Sequence, residues 1–155
     1  MLSTKATSQI WSSTETTLPE GKTKKDFDND SVLEIGSGWG SFAIHAVMNY
    51  ECHVTTTTIS DAQYNWAKKE IQDAGLSDKI TLLKDDYRNL TGQYDKVVSI
   101  EMIEAVGAKY MPAYFQSIAK LLKNDGLLFL QAITIRDQHF KEANREVDFI
   151  FFYFF

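Results

Sequence analysis

A three-layer α/β fold, with a mostly parallel sheet covered by helices on both faces, is predicted by three observations. From Ser31 onward, apolar and partly β-branched runs alternate with segments of helical periodicity. Two of these runs, KVVSI and LLFLQAI, are almost continuously apolar, as strands buried on both faces are. The first run is followed at once by glycines at every second position, in VLEIGSGWG from Val32 to Gly40, where a first strand turns into a helix. Strand–helix–strand units of this kind cross over right-handedly, which makes the linked strands parallel.

Taken in order, residues 1–30 are rich in Ser, Thr, Lys and Asp, lack apolar periodicity and read as a flexible arm; residues 31–155 form one domain. SVLEIG is the first strand, FAIHAVMNY a helix and HVTTTTI the second strand. AQYNWAKKEIQDAG is a helix, opened by Ser60 with Gln63 three residues on as a capping box and closed by Gly75. KITLLKD is the third strand, followed by a short helix between Tyr87 and Gly92, and YDKVVSIEM is the fourth strand. YMPAYFQSIAKLLKNDG is a helix, KNDG (Lys123 to Gly126) a turn, and LLFLQAITI the fifth strand.

Composition narrows the function. The chain has 155 residues, 44% hydrophobic and 24% charged, which sets an expectation of one soluble domain. A net charge of −5 lacks the Lys and Arg surplus by which nucleic-acid binders neutralise phosphates. Cys52 is the single cysteine, so neither an intrachain disulfide nor a cysteine metal cluster can form; this points to a reducing compartment, the cytoplasm. His45, His53 and His139 share no metal-ligand spacing. The opening MLSTKATSQIWSSTETT has no apolar stretch of the signal-peptide kind, and no run reaches the roughly 18–20 apolar residues of a membrane span.

The glycines could form only a tight turn into a helix, but their place after the first strand favours a ligand. A dinucleotide site would have G-x-G-x-x-G and a carboxylate about 20 residues on, at the end of the second strand. Here Gly40 comes one position early and the second strand ends in TTTTIS, with no acid before Asp61, so NAD and FAD are disfavoured. E-x-G-x-G-x-G suits a ligand without a pyrophosphate, whose ribose and amino-acid tail lie on bare backbone: S-adenosylmethionine.

Together with TTISDAQ after the second strand, DDYRNL after the third, VSIEMIEAVG around the fourth and GLLFLQAITI as the fifth, VLEIGSGWGS resembles the class I S-adenosylmethionine-dependent methyltransferases. Among them it resembles the cyclopropane fatty acid synthase and mycolic acid methyltransferase family, from about Ser31 to about Ile150. The resemblance implies a Rossmann-like core of strand order 3-2-1-4-5. It implies that Glu34, Gly36, Ser37, Gly38 and Gly40 line the methionine and ribose of the cofactor. Thr58, Ile59, Ser60 and Gln63 would follow the ribose and adenine edge, and Asp86 and Tyr87 would meet the adenine, one accepting from its exocyclic amine and one stacking on it. Trp39 is open between core packing and pocket wall. Ser37 stands where the family usually has cysteine.

Glu101 and Glu104 end the fourth strand in an apolar setting where a lone carboxylate is costly to bury. In the family the glutamate matching Glu104, with backbone near Ile100, helps hold a bicarbonate ion as general base. Ala105 and Gln131 replace histidines of many members, a pattern shared by a subgroup that includes plant-type cyclopropane synthases and bacterial enzymes adding a methyl branch; Gln131 can still donate to an anion. The resemblance thus implies methyl transfer to an unsaturated acyl chain of a phospholipid at the inner face of a membrane; a family methyltransferase acting on a small soluble acceptor such as an amine, and a non-catalytic cofactor-binding fragment, stay open beside it. Relatives continue past Phe155, so their closing antiparallel strands are expected to be missing here. The uncharged window Phe149 to Phe155 is expected to promote self-association.

Overall fold

The computed structural model describes residues 29–133. The arm expected over residues 1–30 falls almost wholly outside that range, and so does the aromatic stretch expected to self-associate. The sheet has five strands: β1 (Ser31–Ile35), β2 (His53–Thr57), β3 (Ile80–Leu83), β4 (Tyr94–Ile100) and β5 (Leu122–Gln131). All pairings are parallel and the spatial order is β3-β2-β1-β4-β5, as expected. Among the described residues three helices cover it: α1 (Ser41–Tyr50), α2 (Asp61–Asp73) and α3 (Met111–Leu121).

β1 shows why the layers form. It is the central strand, and its side chains alternate between two separate apolar clusters. Val32 packs with Ala43, Ala46 and Val47 of α1, Ile71 of α2, and Val54 and Val98 of the flanking strands. Leu33 and Ile35, both 0% exposed, pack on the opposite face with Val97 and with Tyr114, Ile118 and Leu121 of α3. Burying such a side chain contributes about 1.5–3 kcal/mol, and truncation leaves a cavity as well. Leu33→Ala should therefore cost about 2–5 kcal/mol in a urea unfolding titration; a change below 1 kcal/mol would mean that the two-cluster core is misdrawn.

α2 begins and ends as its sequence dictates, with one difference. Ser60 is the N-cap and its hydroxyl accepts from the Gln63 amide. Gln63 does not reach back to the Ser60 N–H, however; Thr58 Oγ1 takes that proton at 3.2 Å. The capping box is thus split between two side chains. At the other end Gly75 has φ +69°, with its N–H bonded to the Gln72 carbonyl and the Leu76 N–H to the Ile71 carbonyl, a Schellman ending.

The largest departure lies before β5. Leu122 already pairs with Tyr94, and Leu127 with Lys96, so Lys123 to Gly126 bulge out opposite the single residue Asp95. KNDG is therefore a bulge inside the strand, and α3 stops at Leu121 instead of running through it. The bulge is pinned by Asp95, which accepts from Lys123 Nζ at 2.8 Å and from the Ser31 hydroxyl at 2.7 Å. The Lys123 ammonium, helped by Ser31, holds the Asp95 carboxyl down at about 2. Among the described residues β5 is also the sheet edge, with Leu127, Leu128 and Phe129 exposed.

Candidate functional site

β1 feeds α1 on one face of the sheet and β4 feeds α3 on the other, so the loops leaving these neighbours diverge. That divergence is the switch point at which a doubly wound sheet opens a crevice. All sequence-predicted site residues lie at this carboxyl end: Gly36 to Gly40 after β1, Thr58 to Gln63 after β2, Asp86 and Tyr87 after β3, Ile100 to Glu104 at and after β4, and Gln131 at the end of β5.

The three glycines have three different jobs. Gly36 (φ +93°) starts the turn beside Met102, which a Cβ would meet at 3.3 Å, and its N–H and that of Ser37 bond the Thr57 carbonyl. Gly38 (φ +48°) has nothing within 4 Å of a built Cβ. Gly40 (φ +89°), the N-cap of α1, would put a Cβ 3.1 Å from that of Ala67 on α2. Only Gly38 is bare with open space over it, as a ligand pressing on backbone requires; what holds Gly40 is close helix packing. Gly38→Ala should accordingly cost about 1–2 kcal/mol of stability through its left-handed backbone and, in addition, cofactor affinity. Gly40→Ala should cost about 1–3 kcal/mol of stability with little effect on affinity per folded molecule. Calorimetric titration beside thermal unfolding separates the two, and equal affinity losses would refute the division.

Beside this turn Glu34 is 2% exposed and accepts from the Thr56 hydroxyl at 2.6 Å. Burial pushes its carboxyl up to about 8, against the smaller opposing effect of that hydrogen bond. The buried pair is evident only from the parallel register, which sets Glu34 beside Thr56. Ser37, 3% exposed, bonds the Gly38 carbonyl at 3.2 Å and so braces the turn from within.

Past β2, the Thr58 hydroxyl donates to Gln63 Oε1 at 2.8 Å, so the end of Gln63 left to meet a ligand is its amide nitrogen. Ile59 is 59% exposed and Ser60 is occupied as the cap. Thr57 bonds the Asp85 carbonyl, tying the ends of β2 and β3 together. Asp86 is held by Arg88: Nε reaches Oδ1 at 2.8 Å and Nη2 reaches Oδ2 at 2.6 Å. That guanidinium lowers the Asp86 carboxyl below its ordinary value. An adenine amine could thus use only the lone pairs that Arg88 leaves. The Tyr87 ring stands edge-on to Tyr114 at 5.2 Å, which fixes its plane. Trp39 is half exposed and packs edge-to-face on Trp66 of α2 at 6.0 Å, neither core nor an enclosed wall.

The β4 end carries the candidate catalytic groups. Register sets Ile100 opposite Gln131, and the Glu101 N–H donates to the Gln131 carbonyl at 2.9 Å. Gln131 Nε2 donates to Glu101 Oε1 at 3.3 Å, a pairing not evident from the sequence. Glu101 itself has φ +50°, a left-handed backbone that costs a non-glycine residue about 1–2 kcal/mol and recurs at functional turns. Glu104 sits in a short 3-10 turn (Ile103–Ala105), its Oε1 accepting from the Ile133 N–H. Its Oε2 is buried with no hydrogen-bond partner among the described residues. A buried carboxylate oxygen left in that state suits a small ligand with an O–H to donate. Below, the Tyr114 hydroxyl donates to Ser99 at 2.6 Å, both side chains fully buried.

The family model described as mycolic acid cyclopropane synthetase matches residues 23–155. A tuberculostearic acid methyltransferase of Mycobacterium tuberculosis is 41% identical over 104 residues, 67% of this chain and 24% of that protein. A sphingolipid C9-methyltransferase of Candida albicans is 37% identical over 69% of this chain and 22% of its own length. The cyclopropane-fatty-acyl-phospholipid synthase of Escherichia coli is 39% identical over 66% of this chain and 26% of its own length. The chain thus spans about a quarter of the length of these relatives. Among solved structures, a cyclopropane synthase of M. tuberculosis superposes with a TM-score of 0.67 at 26% identity, covering 75% of this chain and 41% of that one. A coclaurine N-methyltransferase bound to N-methylheliamine and SAH gives 0.59 at 28%, covering 65% and 30%. With the glycine turn, the sheet order and the β4 end all in place, the chain belongs to the mycolic acid cyclopropane synthetase family.

Proposed function

We propose that this chain carries the cofactor-binding and reaction centre for methyl transfer from S-adenosylmethionine to the double bond of an unsaturated fatty acyl chain of a phospholipid, giving a cyclopropane or methyl-branched product. The carrying observation is the buried, unpartnered Oε2 of Glu104 at the same sheet end as the open backbone at Gly38. In this reading the cofactor is held by Gly36 and Gly38 with Glu34 and Ser37 beneath, by Thr58 and the Gln63 amide, and by the Asp86–Tyr87 turn. When bound, it supplies an activated methyl on a sulfonium. Positive charge then develops on the acyl chain, and closing a ring requires that a proton leave. Glu104, Gln131 and the backbone at Ile100 would hold bicarbonate, which supplies a base for that proton. Met102 and Ile103 give the surroundings an apolar character that keeps water from the cation. The acyl acceptor would be met at the surface of a membrane, on its cytoplasmic face; no helix among the described residues is long and apolar enough to cross one.

Three other readings are separated by the same experiment. A small soluble acceptor such as an amine is favoured by the fold shared with an N-methyltransferase, and a sphingolipid by the fungal relative. The third is a cofactor-binding fragment without turnover. Calorimetric titration with S-adenosylmethionine, beside radiolabelled methyl transfer to phospholipid vesicles, sphingolipid vesicles and soluble amines, is expected to give binding and label in the phospholipid. Binding without label would identify the fragment, and absence of binding would refute the cofactor assignment.

A further inference from the structure

We propose that ligand entry at the Gly36–Gly38 crevice is coupled to loss of one proton from Glu34. This rests on the cofactor reading above and deepens it, making Glu34 a positioning residue whose charge appears only when the ligand does.

Among the described residues Glu34 is a buried carboxyl with no cation beside it. Glu34 is the penultimate residue of β1, directly before the turn, and alternation puts its side chain on the α1 face with Val32. It is 2% exposed. On that face β2 contributes Thr56, β4 Val98 and α1 Ala43 and Val47, with Ala67 and Ile71 of α2 behind them, none of them charged. The titratable groups on those elements lie elsewhere. His53 begins β2 and Asp95 and Lys96 begin β4, at the far end of a parallel sheet, while Lys68 and Lys69 are exposed on α2 and His45 bonds Asn49. Burial in these surroundings raises the Glu34 carboxyl to about 8, against the smaller opposing effect of the Thr56 hydrogen bond, which favours its protonated form at neutral pH.

A buried carboxyl in neutral surroundings is uncharged until a cation reaches it. The ligand class that fits the open backbone at Gly38 carries such a cation, the α-ammonium of its amino-acid tail. Once that ammonium lies at the turn, the ionised form of Glu34 is favoured and its proton leaves to solvent; no bond other than the O–H breaks. A positive-to-neutral encounter thereby becomes an ion pair formed inside the protein, and a ligand lacking the ammonium would leave Glu34 protonated.

The test uses the full chain and S-adenosylhomocysteine, which has the ammonium but no methyl to transfer. Titration calorimetry at pH 7 in buffers of different ionisation enthalpy should report about one proton released per ligand bound. Affinity should rise about tenfold per pH unit between pH 6 and pH 7.5 and level off above pH 8. Glu34→Gln should release no proton and bind with flat pH dependence. Thr56→Val, which removes the hydrogen bond to the carboxylate, should move the plateau to higher pH. The wild-type measurement decides the matter even if neither variant folds. Binding with no net proton release, or an unchanged pH slope in Glu34→Gln, would overturn the coupling while leaving the cofactor reading intact; no binding at any pH would overturn both.

Discussion

Glu34→Gln should remove a loss of stability that the protein otherwise undergoes as pH rises from about 4.5 to about 8. The folded carboxyl ionises at about 8, above its ordinary 4.5, so the folded state keeps a proton that the unfolded chain gives up. The stability contribution is therefore complete below about pH 4.5 and is lost as pH rises through 8. At about 1.36 kcal/mol per unit, the difference corresponds to an order of magnitude of 5 kcal/mol, large beside the total stability of a domain. Glutamine keeps the shape and an oxygen for Thr56 but cannot ionise. Urea unfolding of both proteins at pH 5, 7 and 9 gives the comparison, in which titration of all other groups cancels. The variant should gain on the wild type at each step up in pH. Two parallel curves would mean that Glu34 is ionised in the folded chain and has a counter-charge near it.

Glu104→Gln should lower methyl transfer to phospholipid by about 10²- to 10⁴-fold, the range associated with losing a positioned base, while the Kd for S-adenosylmethionine changes by no more than a few-fold. The separation follows from placement. Glu104 lies in the turn after β4 with Oε1 on the Ile133 N–H, whereas the open backbone at Gly38 and the Thr58–Gln63 pair follow β1 and β2. An amide at position 104 would offer N–H where an anion's own O–H needs an acceptor. Glu101→Gln is the control: Glu101 is exposed and its carboxylate meets Gln131 at 3.3 Å, so its loss should be far milder. Equal losses of turnover and affinity in Glu104→Gln would assign Glu104 to cofactor binding. Equal turnover losses at both glutamates would assign the effect to the strained turn they share.

Much of this could be read from the chain because it is local. Strand and helix alternation, the Ser60 cap, the Gly75 ending and the glycine turn each depend on residues within a few positions of one another, and each occupies its expected place. The bulge at Lys123 to Gly126 could not be read so. KNDG is turn chemistry in isolation, and its place inside a strand depends on Asp95, 28 residues earlier, holding Lys123 while Leu122 pairs with Tyr94. The same holds for Asp86, whose engagement by Arg88 depends on a side-chain rotamer that no spacing specifies.

The sequence by itself determined the fold class, the sheet order through family resemblance, and which end of the sheet carries the chemistry, because periodicity and turn residues are properties of neighbouring positions. Tertiary structure decided which glycine is open and which is packed, since that depends on Ala67 and Met102 arriving from other elements. It also decided which of two nearby glutamates has a buried oxygen with no partner among the described residues, and that Glu34 faces a threonine across the sheet. The charge state of a carboxyl is set by what surrounds it within a few ångströms, and in a parallel sheet those surroundings come from strands and helices far away along the chain.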